Sequence, residues 1–237
     1  MRFTNVDLPD VLAAETAAAR LLEMSGTVLF LQPLSSETSE ETMTSGQLFI
    51  LVGPSGAGKN TLLEMISKKI PGIRQMPTAT TRPKRLGEAE GRHHFFLTDA
   101  EFDRKIRNGD FVEWRHVHRH RYGTLRSVVQ RTIASGEDCL ADVEVLGAFV
   151  LKESFGKSVV LIFIDPPSLS VLEERIRARG NISEDEIAVR LSRAPFEMSF
   201  KDKCDYVVVN RDISVALNDI VDIINQECRL RAGAQGQ

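Results

Sequence analysis

The 237-residue sequence predicts an α/β fold, a mainly parallel central sheet covered by helices, and three observations carry that prediction. Gln47-Leu48-Phe49-Ile50-Leu51-Val52 reads as a buried strand, followed by a Gly-rich turn over residues 53–60 and a helix over 61–69. Further apolar, β-branched runs at 138–143, 158–164 and 206–209 alternate with helical stretches at 144–154, 169–179, 184–199 and 215–228, the pattern of parallel strands joined by crossover helices. No period of about 20 to 50 residues repeats, which excludes solenoids and propellers.

Taken in chain order, the first 46 residues stand apart. They hold two basic and seven acidic side chains, a net of −5, which leaves +2 on the rest of a chain whose total is −3. Residues 10–24 are Ala- and Leu-rich and predict a helix, whereas 35–46 (SSETSEETMTSG) have linker composition and predict a mobile connection. Glu15, Arg20 and Glu23 interrupt the Ala/Leu stretch, against a secretory signal, and the acidic excess is against a transit peptide. We therefore expect an N-terminal extension with a flexible linker (1–46) ahead of one folded domain (47–237). Met43 is a candidate alternative start, which N-terminal sequencing of the native protein would decide.

Composition limits the partners. The chain is 42% hydrophobic and 27% charged, as a soluble globular protein is. Its longest apolar runs stop well short of the roughly 18 residues that a spanning helix needs. With a net charge of −3, nothing global addresses a nucleic-acid backbone or an anionic membrane. We expect no nucleic-acid and no membrane partner, a monomer or homodimer, and a cytoplasmic location. Three widely spaced cysteines, Cys139, Cys204 and Cys228, fit a reducing compartment and read as packing residues.

The chemistry starts at the first turn. Gly53-Pro54-Ser55-Gly56-Ala57-Gly58-Lys59 matches G-x-x-x-x-G-K directly after a strand and before a helix, the context in which the pattern is a phosphate loop. Its glycines let backbone N–H groups point at a phosphate, the helix start adds its positive end, and Lys59 supplies a mobile charge. The following position is commonly Ser or Thr, whose hydroxyl ligates Mg²⁺; here it is Asn60. Thr61 points about 100° away around the helix, but the Asn60 amide oxygen is a neutral hard donor that Mg²⁺ accepts. We expect retained but weaker metal assistance.

The segment Thr78-Ala79-Thr80-Thr81-Arg82-Pro83-Lys84-Arg85-Leu86-Gly87-Glu88 follows, a cation-rich loop, then Glu113-Trp114 with His118, and Tyr122-Gly123-Thr124. Together with the phosphate loop, this series resembles the guanylate kinase family. The likeness continues through Asp142-Val143-Glu144, Gly147-Ala148, Pro166-Pro167-Ser168, residues 175–180, Arg190-Leu191 and 205–210; it spans nearly all of 47 to about 230 and none of the N-terminal segment. The resemblance implies a phosphate-loop NTPase core, a GMP-binding insertion at 78–125, and a lid at 168–193. It also implies ATP-dependent phosphorylation of GMP, and of dGMP, with Mg²⁺ and ATP as phosphoryl donor. By the same resemblance Arg82 and Arg85 hold the GMP phosphate, with Thr78, His94 and Tyr122 around it, while Glu113 and Thr124 read the base. Arg175, Arg179 and Arg190 match lid residues that reach the ATP phosphates, Asn210 lies near the adenine, and Asp142 and Glu144 form an acidic pair. Asp142 serves the metal with Asn60; Glu144 faces GMP.

Guanine chemistry agrees independently. Its N1–H and N2–H are adjacent donors that one carboxylate accepts together, whereas adenine presents an acceptor at N1 and would leave that carboxylate unpaired. Catalysis then consists of positioning and charge neutralisation by Lys59, Arg82, Arg175, Arg190 and Mg²⁺, since the GMP phosphate is an anionic nucleophile without help from a base.

Departures from the family pattern are local. Arg119-His120-Arg121 precedes Tyr122 where the family has a Gly-Asn-Tyr-like turn, and His94 stands where Tyr is usual. A His there makes GMP affinity sensitive to pH near 6 to 7. His116, His118 and His120 alternate and would share one face of a continuous strand, a metal-like spacing outweighed by the substrate-binding hairpin that the resemblance implies there. Two alternatives share the fold. A ribose 1,5-bisphosphate phosphokinase often carries Asp after the loop lysine, which Asn60 mildly favours. A catalytically inactive phosphoprotein-binding module typically loses the loop lysine and glycines, which this chain keeps.

Overall fold

The computed structural model describes residues 27–28, 45–117, 119–178, 180 and 182–234. The helix expected over 10–24, most of the expected linker, His118 and Arg179 lie outside the described residues.

In chain order the elements are β1 (Thr27–Val28), β2 (Leu48–Val52), α1 (Lys59–Lys69), β3 (Arg74–Gln75), β4 (Thr78–Thr80), β5 (His94–Phe96), α2 (Asp99–Arg107), β6 (Phe111–Val117), β7 (His120–Leu125) and α3 (Arg126–Ala134). They continue with β8 (Cys139–Asp142), α4 (Val145–Phe155), β9 (Val159–Asp165), α5 (Leu169–Ala178), α6 (Glu184–Met198), β10 (Tyr206–Val209) and α7 (Ile213–Ala234).

The central sheet runs β10-β9-β2-β8-β3 and every pairing in it is parallel. All five residues of β2 and all seven of β9 are buried, as expected for strands covered on both faces. Alternation along β2 divides the interior in two. Leu48, Ile50 and Val52 pack with Val128 and Val129 of α3 and Leu151 of α4, while Phe49 and Leu51 pack with Leu62 and Ile66 of α1 and Ile220 of α7. A polar clasp joins the ends: Asp138 accepts the Gln47 N–H at 2.9 Å and pairs with Arg231 of α7.

A second sheet, β1-β6-β7-β4-β5, is mixed, with β4 and β5 parallel and the other pairs antiparallel. The sequence reading anticipated a hairpin here but not the sheet, because its strands are short and two of them, β1 and β5, are far from their partners in sequence. Thr27 and Val28 pair with Arg115 and Trp114, so two residues of the N-terminal segment edge this sheet. The histidine alternation is broken by the hairpin: Val117 pairs with His120 and His116 with Arg121, which puts His116 and His120 on different strands.

Capping follows the sequence. Thr98 and Glu101 form a reciprocal capping box at the start of α2. Ser183 caps α6, whose first turn carries Glu184, Asp185 and Glu186 against the positive end of the helix. The carboxyl ends of β2, β8, β9 and β10 lead into the phosphate loop, Asp142, Asp165 and Asn210, the edge of a parallel sheet where ligands bind.

Candidate active site

The phosphate loop leaves β2 and enters α1 at Lys59. Gly58 has φ +100°, and a Cβ there would stand 2.5 Å from Asn210 Nδ2, so both backbone conformation and space require glycine. Asn210 ties the loop to β10 by donating to Ala57 O at 2.7 Å. Lys59 Nζ folds back onto the loop and donates to Gly53 O at 2.6 Å and Pro54 O at 3.2 Å. Asn60 and Thr61 are exposed at successive positions of α1. Facing the loop is a cavity of about 630 Å³, lined by Ser55, Lys59, Asn60, Asp142, Glu144 and Arg190 among others.

The expected lid arginines fall in different places. Arg190 Nη1 approaches Ser55 Oγ at 3.3 Å, and its other nitrogen pairs with Glu186 at 2.6 Å, so it already stands over the loop. Arg175 Nη2 donates to Asn210 O at 2.9 Å; its Nη1 is buried without a hydrogen-bond partner, as is Asn210 Oδ1. Buried donors and acceptors left open in this way are uncommon, and both lie on the phosphate-loop side of the sheet.

A second cavity, of about 310 Å³, is lined by Thr78, His94, Glu113 and Tyr122 together with Asn60 and Asp142. Glu113 is 6% exposed and accepts the Thr124 hydroxyl at 2.7 Å. Gly147 lets it in, since a Cβ at that position would come within 2.6 Å of Glu113 Cγ. Burial pushes the Glu113 carboxyl above the usual carboxylate range, with Arg115 and Thr124 pulling the other way. Thr78 Oγ1 lies 3.0 Å from His94 Nδ1. Burial, then the neighbouring Arg82, lower the His94 pKa, which moves its titration below the ordinary imidazole value and so toward the acid side of the expected 6 to 7 window.

Arg82 is buried next to the cavity-lining Tyr122, clamped by Glu88 at 2.6 and 3.0 Å and by the Tyr122 hydroxyl at 3.2 Å. Glu88, held by that guanidinium and by the Arg85 N–H, is lowered to about 2. The Arg85 side chain itself is exposed.

Glu144 pairs with Arg115 at 3.2 Å and with Arg193 at 3.3 Å, linking β6 to α6. Glu197, near the end of α6, receives the Ser55 N–H and faces Lys59; burial raises its pKa. The sequence reading gave no role to Glu88, Arg193 or Glu197, and treated Arg115 only as part of a cationic run. Glu88 had a signal, its place in the Arg82 to Glu88 motif; the others acquire partners only when α6 folds over the loop. Asn60, Arg115, Asp142 and Val143 line both cavities, so the two spaces meet there.

Among the described residues no group of three or more His, Cys, Asp and Glu is placed to hold a metal. Asn60 and Asp142 contribute one amide and one carboxylate to the wall where the cavities meet, a donor set suited to a small hard cation that keeps waters and shares phosphate oxygens.

Comparison with known proteins converges on one family. The family model described as guanylate kinase matches residues 45–227. The guanylate kinase of Thermotoga maritima is 41% identical over 182 residues, covering 77% of this chain and 87% of that protein. The guanylate kinase of Synechocystis is 43% identical over 188 residues, covering 79% and 98%. Among solved structures, the guanylate kinase of Anaplasma phagocytophilum superposes with a TM-score of 0.58 at 33% identity, over 77% of this chain and 86% of that one. A phosphate loop, an enclosed carboxylate beside it and this extent of likeness lead to one assignment: the chain belongs to the guanylate kinase family.

Proposed function

We infer that this protein transfers the γ-phosphoryl group of ATP to GMP, giving ADP and GDP. One observation carries the reading: the cavity at the phosphate loop and the cavity holding Glu113 open into each other at Asn60, Arg115, Asp142 and Val143. A donor triphosphate and an acceptor monophosphate seated in the two spaces bring their phosphates together at that junction.

On this reading the core supplies the ATP site, residues 78–125 the acceptor site and residues 168–193 the lid. Backbone N–H groups of residues 53–59 cradle the ATP phosphates, and Lys59 swings from its loop carbonyls to the phosphate oxygens. Arg190, already beside Ser55, and Arg175 add positive charge from the lid side. Arg82 with Tyr122, Thr78 and His94 receive the GMP phosphate, and the Glu88 clamp fixes the guanidinium before substrate arrives. Glu113 and Thr124 read the guanine edge. A GMP phosphate oxygen attacks the γ-phosphorus in line as the bond to the ADP oxygen breaks, and the cations neutralise the charge on the moving group. Asn60 and Asp142 would hold Mg²⁺, which when bound offsets charge on the β- and γ-phosphates.

The test is a coupled ADP-release assay with MgATP against GMP, dGMP, AMP, UMP and ribose 1,5-bisphosphate. Turnover limited to GMP and dGMP and abolished by Lys59→Ala supports the reading. Turnover with the sugar phosphate alone, or GMP binding without turnover, would replace it.

A further inference from the structure

Arg115 follows Glu113 by two positions on β6, so both side chains leave the same face of the strand. Its guanidinium is part of the wall where the two cavities meet. Nη1 stands 3.2 Å from Glu144 Oε1 as an ion pair, yet it is buried and has no acceptor at hydrogen-bonding geometry. Resting on the reading of Glu113 as the guanine acceptor, we propose that Arg115 is a positioning residue for base recognition. Its charge keeps the neighbouring Glu113 ionised, so that both carboxylate oxygens accept guanine N–H donors.

The physical problem it solves is enclosure. A carboxylate as buried as Glu113 has lost its hydration, and it takes up a proton unless a cation stands by. Burial pushes this carboxyl up; Arg115 is the largest influence in the opposite direction, ahead of the Thr124 hydroxyl and N–H. The other ionisable groups around the site are Glu64 of α1, His93 and His94 at β5, Tyr122 of β7 with Arg82 bonded to its hydroxyl, and Asp142 of β8, with Glu144 ahead of α4 and Arg193 reaching it from α6. Of these Arg82 and Arg193 share the permanent positive charge of Arg115; Arg82 is held by Glu88 and Tyr122 and Arg193 pairs with Glu144 and Glu197, and the groups that draw Glu113 down are Arg115 and Thr124. A protonated Glu113 would turn one oxygen into a donor facing a donor on guanine.

The experiment measures kcat/KM for GMP at pH 6 and pH 8 in the wild type, in the neutral variants R115M and R115Q, and in R115K. The GMP phosphate titrates alike in all four, so it cancels from the comparison. In the neutral variants the drop from pH 8 to pH 6 should exceed that of the wild type by about two- to sixfold, the effect on the ionised fraction of one unit in the Glu113 pKa. KM rather than kcat should carry it, and R115K should follow the wild type. A ¹³C NMR titration of the Glu113 carboxyl, assigned with E113Q, should move upward in R115M and R115Q independently of turnover. Neutral variants that keep the wild-type pH slope and the wild-type Glu113 titration overturn the inference alone. A wild-type protein that releases no ADP with GMP overturns the guanine reading and this inference together.

Discussion

On the proposed reading, Glu113 concentrates the specificity of the acceptor cavity into one side chain, whose internal hydrogen-bond partner is Thr124. Each charged hydrogen bond to guanine is worth roughly 1.5–3 kcal/mol, so Glu113→Ala should lose on the order of 10²-fold or more in kcat/KM for GMP. Steady-state kinetics check it, and near-wild-type efficiency would remove Glu113 from the base site. At this scale the sequence was informative wherever a residue stands in a motif: Lys59 is legible from the spacing of its loop, and Arg82 and Glu113 from stretches that resemble the family's. Glu197 is not, because it matters only through the Ser55 N–H and Lys59, more than a hundred positions away. Asn60 is legible as an oddity, and its exposure on α1 beside Asp142 gives that oddity a place in the cavity wall.

The loop between β4 and β5 shows how an element is held by one acid. Glu88 bonds Arg82 and the Arg85 N–H, and its pKa falls to about 2 from an ordinary 4.5. A depressed carboxylate contributes order that is complete above its unfolded pKa and is lost as pH falls through the folded one. The window is therefore pH 4.5 down to about 2. Pepsin, active in this range, should cut at the fully exposed Leu86 increasingly fast as pH drops, relative to Glu88→Gln, which should be cut quickly throughout. Equal acceleration in both proteins would detach Glu88 from loop order. At the foot of β8, Asp138→Ala removes partners from the Gln47 N–H and Arg231 at once. We expect a loss of about 2 kcal/mol, read as a melting temperature several degrees lower. Five of the helices and four of the central strands were legible from periodicity, with most ends displaced by one or two residues and α7 running six beyond its expected end, whereas α2, α3 and β3 were not anticipated. The mixed sheet was not, since three-residue strands such as β4 and β5 carry almost no alternation and owe their pairing to the elements around them.

For the whole molecule, the family likeness begins at residue 45, three residues ahead of the first central strand, and the catalytic cavities draw on nothing earlier among the described residues. Deleting residues 1–44 removes the β1 edge pairing but no residue lining either cavity, and should leave GMP-dependent ADP release within about twofold. A larger loss would make the edge pairing of Thr27 and Val28 with β6 a working part of the enzyme. That same edge holds the only tryptophan of the chain, Trp114, 9% exposed, set between Phe102 and His116 and adjacent in sequence to Glu113. Excited at wavelengths that tyrosine does not absorb, a single indole is a single emitter, and here it is built into the strand that carries Glu113. On the proposed reading, nucleotide arrival at Glu113, like any rearrangement of the β1 edge, can therefore be followed in real time by light from the unlabelled protein.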